Sequence, residues 1–125
     1  MPGPSIEYSD ANWKKSISIN LDGVFTLCRE VGRKMVKQNI YGSIINFTSI
    51  GAEQGFFNNL GYAATKGAVK QLAKASAVEW GEHNIRVNNI VPGYTNTPMN
   101  LKSWNDPLLK KQRSAILCLG GGQNL

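Results

Sequence analysis

The sequence predicts an α/β fold in which short parallel strands alternate with long helices. Three observations predict it. Apolar residues recur at helical spacing over residues 13–38 and 62–80, two short apolar runs occupy 43–48 and 85–91, and the second helix stands between those runs. A strand, a long crossover helix and a second strand make a βαβ unit, with parallel strands and a right-handed connection.

Each element follows from its residues. Pro2, Gly3, Pro4 and Ser5 mark the first dozen residues as a loop, and Ser9 or Asp10 can cap the helix that follows. From Trp13 the apolar positions are Ile17, Leu21, Val24, Phe25, Cys28, Val31 and Met35, steps of three and four that define one helical face. Gly23 and Gly32 each weaken that helix by about 1 kcal/mol relative to alanine, so packing must compensate. Glycine there also permits another element to approach closely. Asn39-Ile40-Tyr41-Gly42 ends the helix, and the apolar continuity of the strand after it predicts burial on both faces. Residues 49–61, with three glycines and two asparagines, form a loop at the C-terminal end of that strand, where α/β proteins keep their chemistry.

In the second helix Val69, Leu72, Ala73, Ser76, Ala77 and Trp80 repeat at helical spacing, and Gly81-Glu82-His83-Asn84 terminates it. The second strand closes at Pro92-Gly93. An amphipathic segment at 108–116 follows, and Gly120-Gly121-Gly122 should fray. The whole reads as one partial domain over 1–125, with 1–12 and 116–125 loose. Two parallel strands leave two unpaired edges, a poor core, which points to an incomplete α/β domain.

Hydrophobic residues make up 42% and charged residues 18%, a globular rather than a disordered balance. No apolar run approaches the roughly 20 residues needed to span a bilayer, and the opening has no secretory signal pattern. A soluble, cytoplasmic protein is expected. The net charge of +6 is scattered along the chain without a run of five cations, which argues for a solvated surface over a nucleic-acid or membrane partner. Cys28 and Cys118 are too few and too distant for a disulfide framework or a metal site, and Cys28 reads as a small buried hydrophobe. His83, the lone histidine, reads as a turn residue, so no metal is expected.

Tyr62 and Lys66 stand four apart at the start of a helix, so both side chains share a face. A phenol with the ordinary pKa near 10 is a poor acid or base at neutral pH. A nearby ammonium stabilises its anion and makes it a usable proton donor and acceptor, and the positive end of the helix dipole acts in the same direction. The pair alone is weak, arising by chance in about one of three such sequences. Ser49, thirteen residues earlier and directly after the strand, can reach the same crevice and hydrogen-bond a substrate oxygen as charge develops there; alone, it would read as a turn serine. Asn20 is an odd residue for a helix interior, because asparagine competes with helical backbone bonding.

Together these motifs resemble the short-chain dehydrogenase/reductase family. The likeness rests on Asn20-Leu21-Asp22-Gly23, Gly42-Ser43-Ile44-Ile45-Asn46-Phe47-Thr48-Ser49, Tyr62-Ala63-Ala64-Thr65-Lys66, and Asn84-Ile85-Arg86-Val87-Asn88-Asn89-Ile90-Val91-Pro92-Gly93 with Thr97. Order and spacing match over residues 13–99. Residues 78–84 and Pro92-Gly93-Tyr94 look most like gluconate and other polyol dehydrogenases.

The resemblance implies a partial Rossmann-like, doubly wound fold whose N-terminal half is missing. It implies reversible NAD- or NADP-dependent oxidation of a secondary alcohol to a ketone. Tyr62 would be the acid/base. Lys66 would stabilise the phenolate of Tyr62 and bond the nicotinamide ribose, Ser49 would orient the substrate oxygen, and Asn20 would hold a water linking Lys66 to solvent. Pro92, Gly93 and Thr97 would line the nicotinamide pocket, with Phe56, Phe57 and Tyr94 on the substrate side. The family's glycine-rich pyrophosphate turn has no counterpart here, and the sequence after Ala115 departs from the family pattern. The partners implied are a small alcohol or ketone and a second copy of the chain, paired through helices 13–38 and 62–80. The alternative is an inactive truncated product serving, if at all, as a helix-mediated interaction module.

Overall fold

The computed structural model describes residues 2–95 and 105–108. They belong to two units, Met1–Pro92 and Gly93–Leu125. The first unit runs α1 (Asp10–Ile17), a π-helical turn (Ser18–Asp22), α2 (Gly23–Lys37), β1 (Gly42–Phe47), α3 (Leu60–Trp80) and β2 (Ile85–Ile90). Short 3-10 turns stand at Ser5–Glu7, Ile50–Ala52 and Gly81–His83. In the second unit, residues 93–95 are irregular and the Leu108 N–H donates to Asp106 Oδ1 at 2.8 Å. The segment expected to be helical at 108–116 lies outside the described residues beyond its first position.

Ser9 caps α1: its extended backbone turns the chain, and its Oγ accepts the Asn12 N–H at 3.2 Å. The helix therefore starts at Asp10, three residues before Trp13. The opening dozen residues, read as a loop, instead hold a 3-10 turn and the start of α1. The helix expected over 13–38 is a continuous helical run interrupted by the π turn, with Asn20 inside the widened segment. Among the described residues, three non-glycine residues adopt the left-handed region, Asn39, Asn58 and Asn84, each at the end or start of an element.

The strands pair in parallel, with Gly42, Ile44 and Asn46 opposite Ile85, Val87 and Asn89 on one face. Ser43, Ile45 and Phe47 stand opposite Arg86, Asn88 and Ile90 on the other. The first face is covered. Ile85, Val87 and Ala73 of α3 form its centre, with Met35, Val36, Ile44, Ala77 and Trp80 packed around them. Each fully buried aliphatic side chain stabilises the fold by roughly 1.5–3 kcal/mol. Gly32 lies where α2 crosses Trp80, and a Cβ there would stand 2.8 Å from the indole. Cys28 is buried, as expected, with its thiol donating to Asn46 Oδ1 at 3.2 Å.

The second face corrects one expectation. β1 is not buried on both sides: Phe47 is 62% exposed and Ile45 53% exposed. The apolar sequence of the strand suits a two-sided burial that the described elements, all on one side, do not provide.

Candidate active site

The candidate residues gather where β1 ends and α3 begins. Gly61 sets the position of that helix start. A Cβ on it would meet Tyr8 Oη at 2.5 Å and Ser16 Oγ at 2.8 Å, so the Tyr8–Ser16 hydrogen bond at 3.0 Å fits only beside glycine. Tyr62 follows at once and remains 36% exposed, its ring open to an approaching ligand. The buried Thr65 hydroxyl donates to the Tyr62 carbonyl at 2.8 Å and holds the first turn.

Lys66 lies one turn further on. Its Nζ donates to the Phe47 carbonyl at the end of β1 at 2.8 Å, and stands 5.7 Å from the centre of the Tyr62 ring. The helical spacing thus brings phenol and amine together. Burial holds the Lys66 amine below the ordinary lysine range, because removing it from water disfavours the ammonium form. An ammonium has three donors, and the Phe47 carbonyl accepts one, leaving two for the hydroxyls of a ligand.

Ser49 stands two residues beyond β1. Its Oγ accepts the Gly51 N–H at 3.1 Å, which turns the chain into the 3-10 segment at Ile50–Ala52. The hydroxyl keeps its proton available for donation to another oxygen. Pro92 is placed beside this loop, its carbonyl accepting the Ile50 N–H at 3.2 Å. Thr48 is tied to β2 twice, through its N–H and its hydroxyl, both donating to the Ile90 carbonyl. Glu53 and Lys70 form an ion pair at 2.5 Å that links the loop to α3.

Asn20 sits in the π turn, which packs against α3, but its side chain is not hydrogen-bonded to Tyr62, Lys66 or Ser49. Gly93 opens the second unit, and Thr97 lies outside the described residues. A cleft of about 900 Å³ borders the loop, lined by Ile6, Gly51, Phe56, Phe57, Leu60 and Ala63 among others. Phe56 thus lines this cleft, while Phe57 is almost fully exposed. Among the described residues, no helix is long and apolar enough to cross a membrane, and no cluster of three or more His, Cys, Asp or Glu could hold a metal. His83 occupies the 3-10 turn after α3, beside Glu82.

Sequence reasoning missed the buried polar residues that frame the site, Asn46, Thr48 and Thr65. The signal for one of them was present: an asparagine between Ile45 and Phe47 interrupts an otherwise apolar strand.

A family model described as short chain dehydrogenase matches residues 1–108. The chain is 38% identical over 104 residues to 2-dehydro-3-deoxy-D-gluconate 5-dehydrogenase of Dickeya dadantii, covering 82% of this chain and 41% of that protein. It is 39% identical over 110 residues to galactitol 2-dehydrogenase (L-tagatose-forming) of Cereibacter sphaeroides, covering 84% and 42%. Among solved structures, a gluconate 5-dehydrogenase from Burkholderia cenocepacia in complex with NADP and tartrate superposes with a TM-score of 0.84 at 32% identity, covering 90% of this chain and 44% of that one. The chain therefore spans less than half the length of these relatives, and its parallel strands and flanking helices form part of their Rossmann-like α/β architecture. With the family model matched over most of its length, this chain belongs to the short chain dehydrogenase family.

Proposed function

We propose that the chain carries the proton-handling apparatus for reversible NAD(P)-dependent oxidation of a secondary alcohol, of sugar or polyol type, to a ketone. The observation that carries this reading is the placement of the Lys66 amine, fixed on the Phe47 carbonyl and 5.7 Å from the centre of the Tyr62 ring. The phenolate of Tyr62 takes the hydroxyl proton of the alcohol, and in reduction the phenol returns it. Lys66 stabilises that phenolate by its charge. Ser49 donates to the substrate oxygen, and Asn20 supports a water path from Lys66 to solvent.

When bound, NAD(P) supplies the hydride acceptor or donor. The residues present fit one end of it. The two remaining donors of Lys66 suit the ribose hydroxyls next to the nicotinamide; Pro92, Gly93 and Thr97 are assigned to the ring by the family resemblance alone, Thr97 lying outside the described residues. The sugar or polyol class is supported by the names of the relatives, gluconate and galactitol dehydrogenases. The cleft along the loop after Ser49, with Phe56 and Ala63 on its wall, offers space for the rest of that substrate, although Ser49, Tyr62 and Lys66 do not themselves line it.

A specific observation favours a second reading, self-association through helices 13–38 and 62–80. A groove of about 350 Å³ runs between α2 and α3, lined by Phe25, Cys28, Leu72, Ala75 and Trp80, and Leu27 and Val78 stand exposed nearby. In that reading the chain is an interaction module with or without catalysis.

Titration of NADH and NADPH against the purified chain, followed by fluorescence, separates the two. Saturable binding, with turnover of a polyol that falls at least a hundredfold in Tyr62→Phe, is the expected result. No binding, together with a concentration-dependent dimer in sedimentation, would leave only the interaction module.

A further inference from the structure

Asn46 is 8% exposed, a buried amide within an apolar strand. Its Oδ1 accepts the Cys28 thiol at 3.2 Å, while its Nδ2 has no hydrogen-bond partner. Its neighbour in register on the parallel strand is Asn89. There the Nδ2 donates to the Lys70 carbonyl of α3 at 3.1 Å, while the Oδ1 is buried and unpartnered. The two orphaned atoms are one donor and one acceptor, on register partners of one sheet face. An unsatisfied buried group is costly, whereas the terminal torsion of an asparagine is broad and turns cheaply. The other buried hydroxyls at this level are engaged elsewhere, Thr48 with the Ile90 carbonyl and Thr65 with the Tyr62 carbonyl.

We propose that Asn46 Nδ2 donates to Asn89 Oδ1, closing a hydrogen-bond chain from α2 across both strands to α3, and that the two asparagines are positioning residues for Lys66. The chain runs Cys28 thiol, Asn46 amide, Asn89 amide, Lys70 carbonyl. Its ends bracket the amine. Asn46 immediately precedes Phe47, whose carbonyl holds Lys66 Nζ, and Lys70 is one helical turn beyond Lys66. The ladder therefore fixes the separation between the strand that presents the acceptor and the helix that presents the donor. A helix that drifted from β1 would take Lys66 off the Phe47 carbonyl and away from its set distance to Tyr62. The proposal rests on Lys66 belonging to the proton-handling site, but its geometry can be read without turnover.

The direct test is a trans-hydrogen-bond scalar coupling between Asn46 15Nδ2 and Asn89 13Cγ in the isotope-labelled full chain. The coupling is expected; its absence overturns the proposal, and this measurement needs no variant to fold. The positioning role is read in Asn46→Leu, Asn89→Leu and the double variant, by thermal unfolding and by NMR titration of the Lys66 side chain. Each single variant should lower Tm, because it leaves one amide partnerless, and the double variant should lose less than the two losses together. In the single variants the Lys66 midpoint should move up toward the ordinary lysine value as the amine regains water. The charged neighbour on its helix, Lys70, is paired with Glu53. Additive Tm losses, or a Lys66 titration that does not move, would overturn the positioning role. Neither readout depends on cofactor or substrate, so failure of the dehydrogenase reading would show separately, in the cofactor titration.

Discussion

The two faces of the strand pair are built from similar residues and meet different surroundings. On the face toward α2 and α3, Ile85 is 1% exposed and packs with Val87 and Ala73. On the opposite face Phe47, Ile45 and Ile90 are also apolar and remain open. Strand composition thus reports the burial a strand is suited to, and the neighbouring elements decide which side receives it. The candidate chemistry draws on both sides. Lys66 arrives from the covered face and is fastened to the main-chain oxygen of Phe47, whose ring lies on the open one.

Truncating one residue on each face is the sharpest way to break that comparison. Ile85→Ala should cost about 2–5 kcal/mol in denaturant unfolding, the transfer and cavity terms of a buried isoleucine. Phe47→Ala should cost under about 1 kcal/mol, because most of its surface already faces water. Equal losses would mean that the open face is covered in solution. A smaller effect is expected at the helix crossing that closes the covered face. Gly32→Ala places a Cβ 2.8–3.0 Å from three atoms of the Trp80 ring, so overpacking of about 1–3 kcal/mol opposes a helix-propensity gain of about 1 kcal/mol. A net loss of Tm is predicted; a net gain would show that the indole turns aside freely. The smallest is the cap of α1, far from the sheet, where Ser9→Ala should cost about 1 kcal/mol by freeing the Asn12 N–H.

What was legible in the sequence shares a physical character: it was local. The bounds of α3 follow from the apolar stripe at Val69, Leu72, Ala73 and Trp80, and the observed Leu60–Trp80 lies within two residues of the expectation. The parallel pairing followed from the length of the crossover, and the Tyr62–Lys66 proximity from helical spacing. The π turn was not legible, because an i→i+5 widening carries no residue code of its own and the apolar stripe passes through it; only the misplaced Asn20 hinted at it. The anchoring of Lys66 on the Phe47 carbonyl joins residues nineteen apart through the packing of α3 on the sheet, and no periodicity encodes it. The same holds for the Asn46–Asn89 register. Asn46 could have been singled out by its polarity, but its partner emerges only when the strands are aligned.

The central claim is that burial and a backbone carbonyl hold an amine beside a phenol at the mouth of α3. Removal from water disfavours the charged form of Lys66, so its midpoint in the folded chain lies below that in the unfolded chain. Between the two midpoints the folded chain binds fewer protons, so the contribution of Lys66 to stability improves as pH rises through that window and is least favourable below it. The measurement that addresses the claim most directly is an NMR titration of the Lys66 Nζ and Cε signals. Lys66 titrating clearly below the ordinary lysine value, and showing contacts to the Tyr62 ring protons, is the predicted result. A Lys66 that titrates at the ordinary lysine value and shows no such contact would contradict the account.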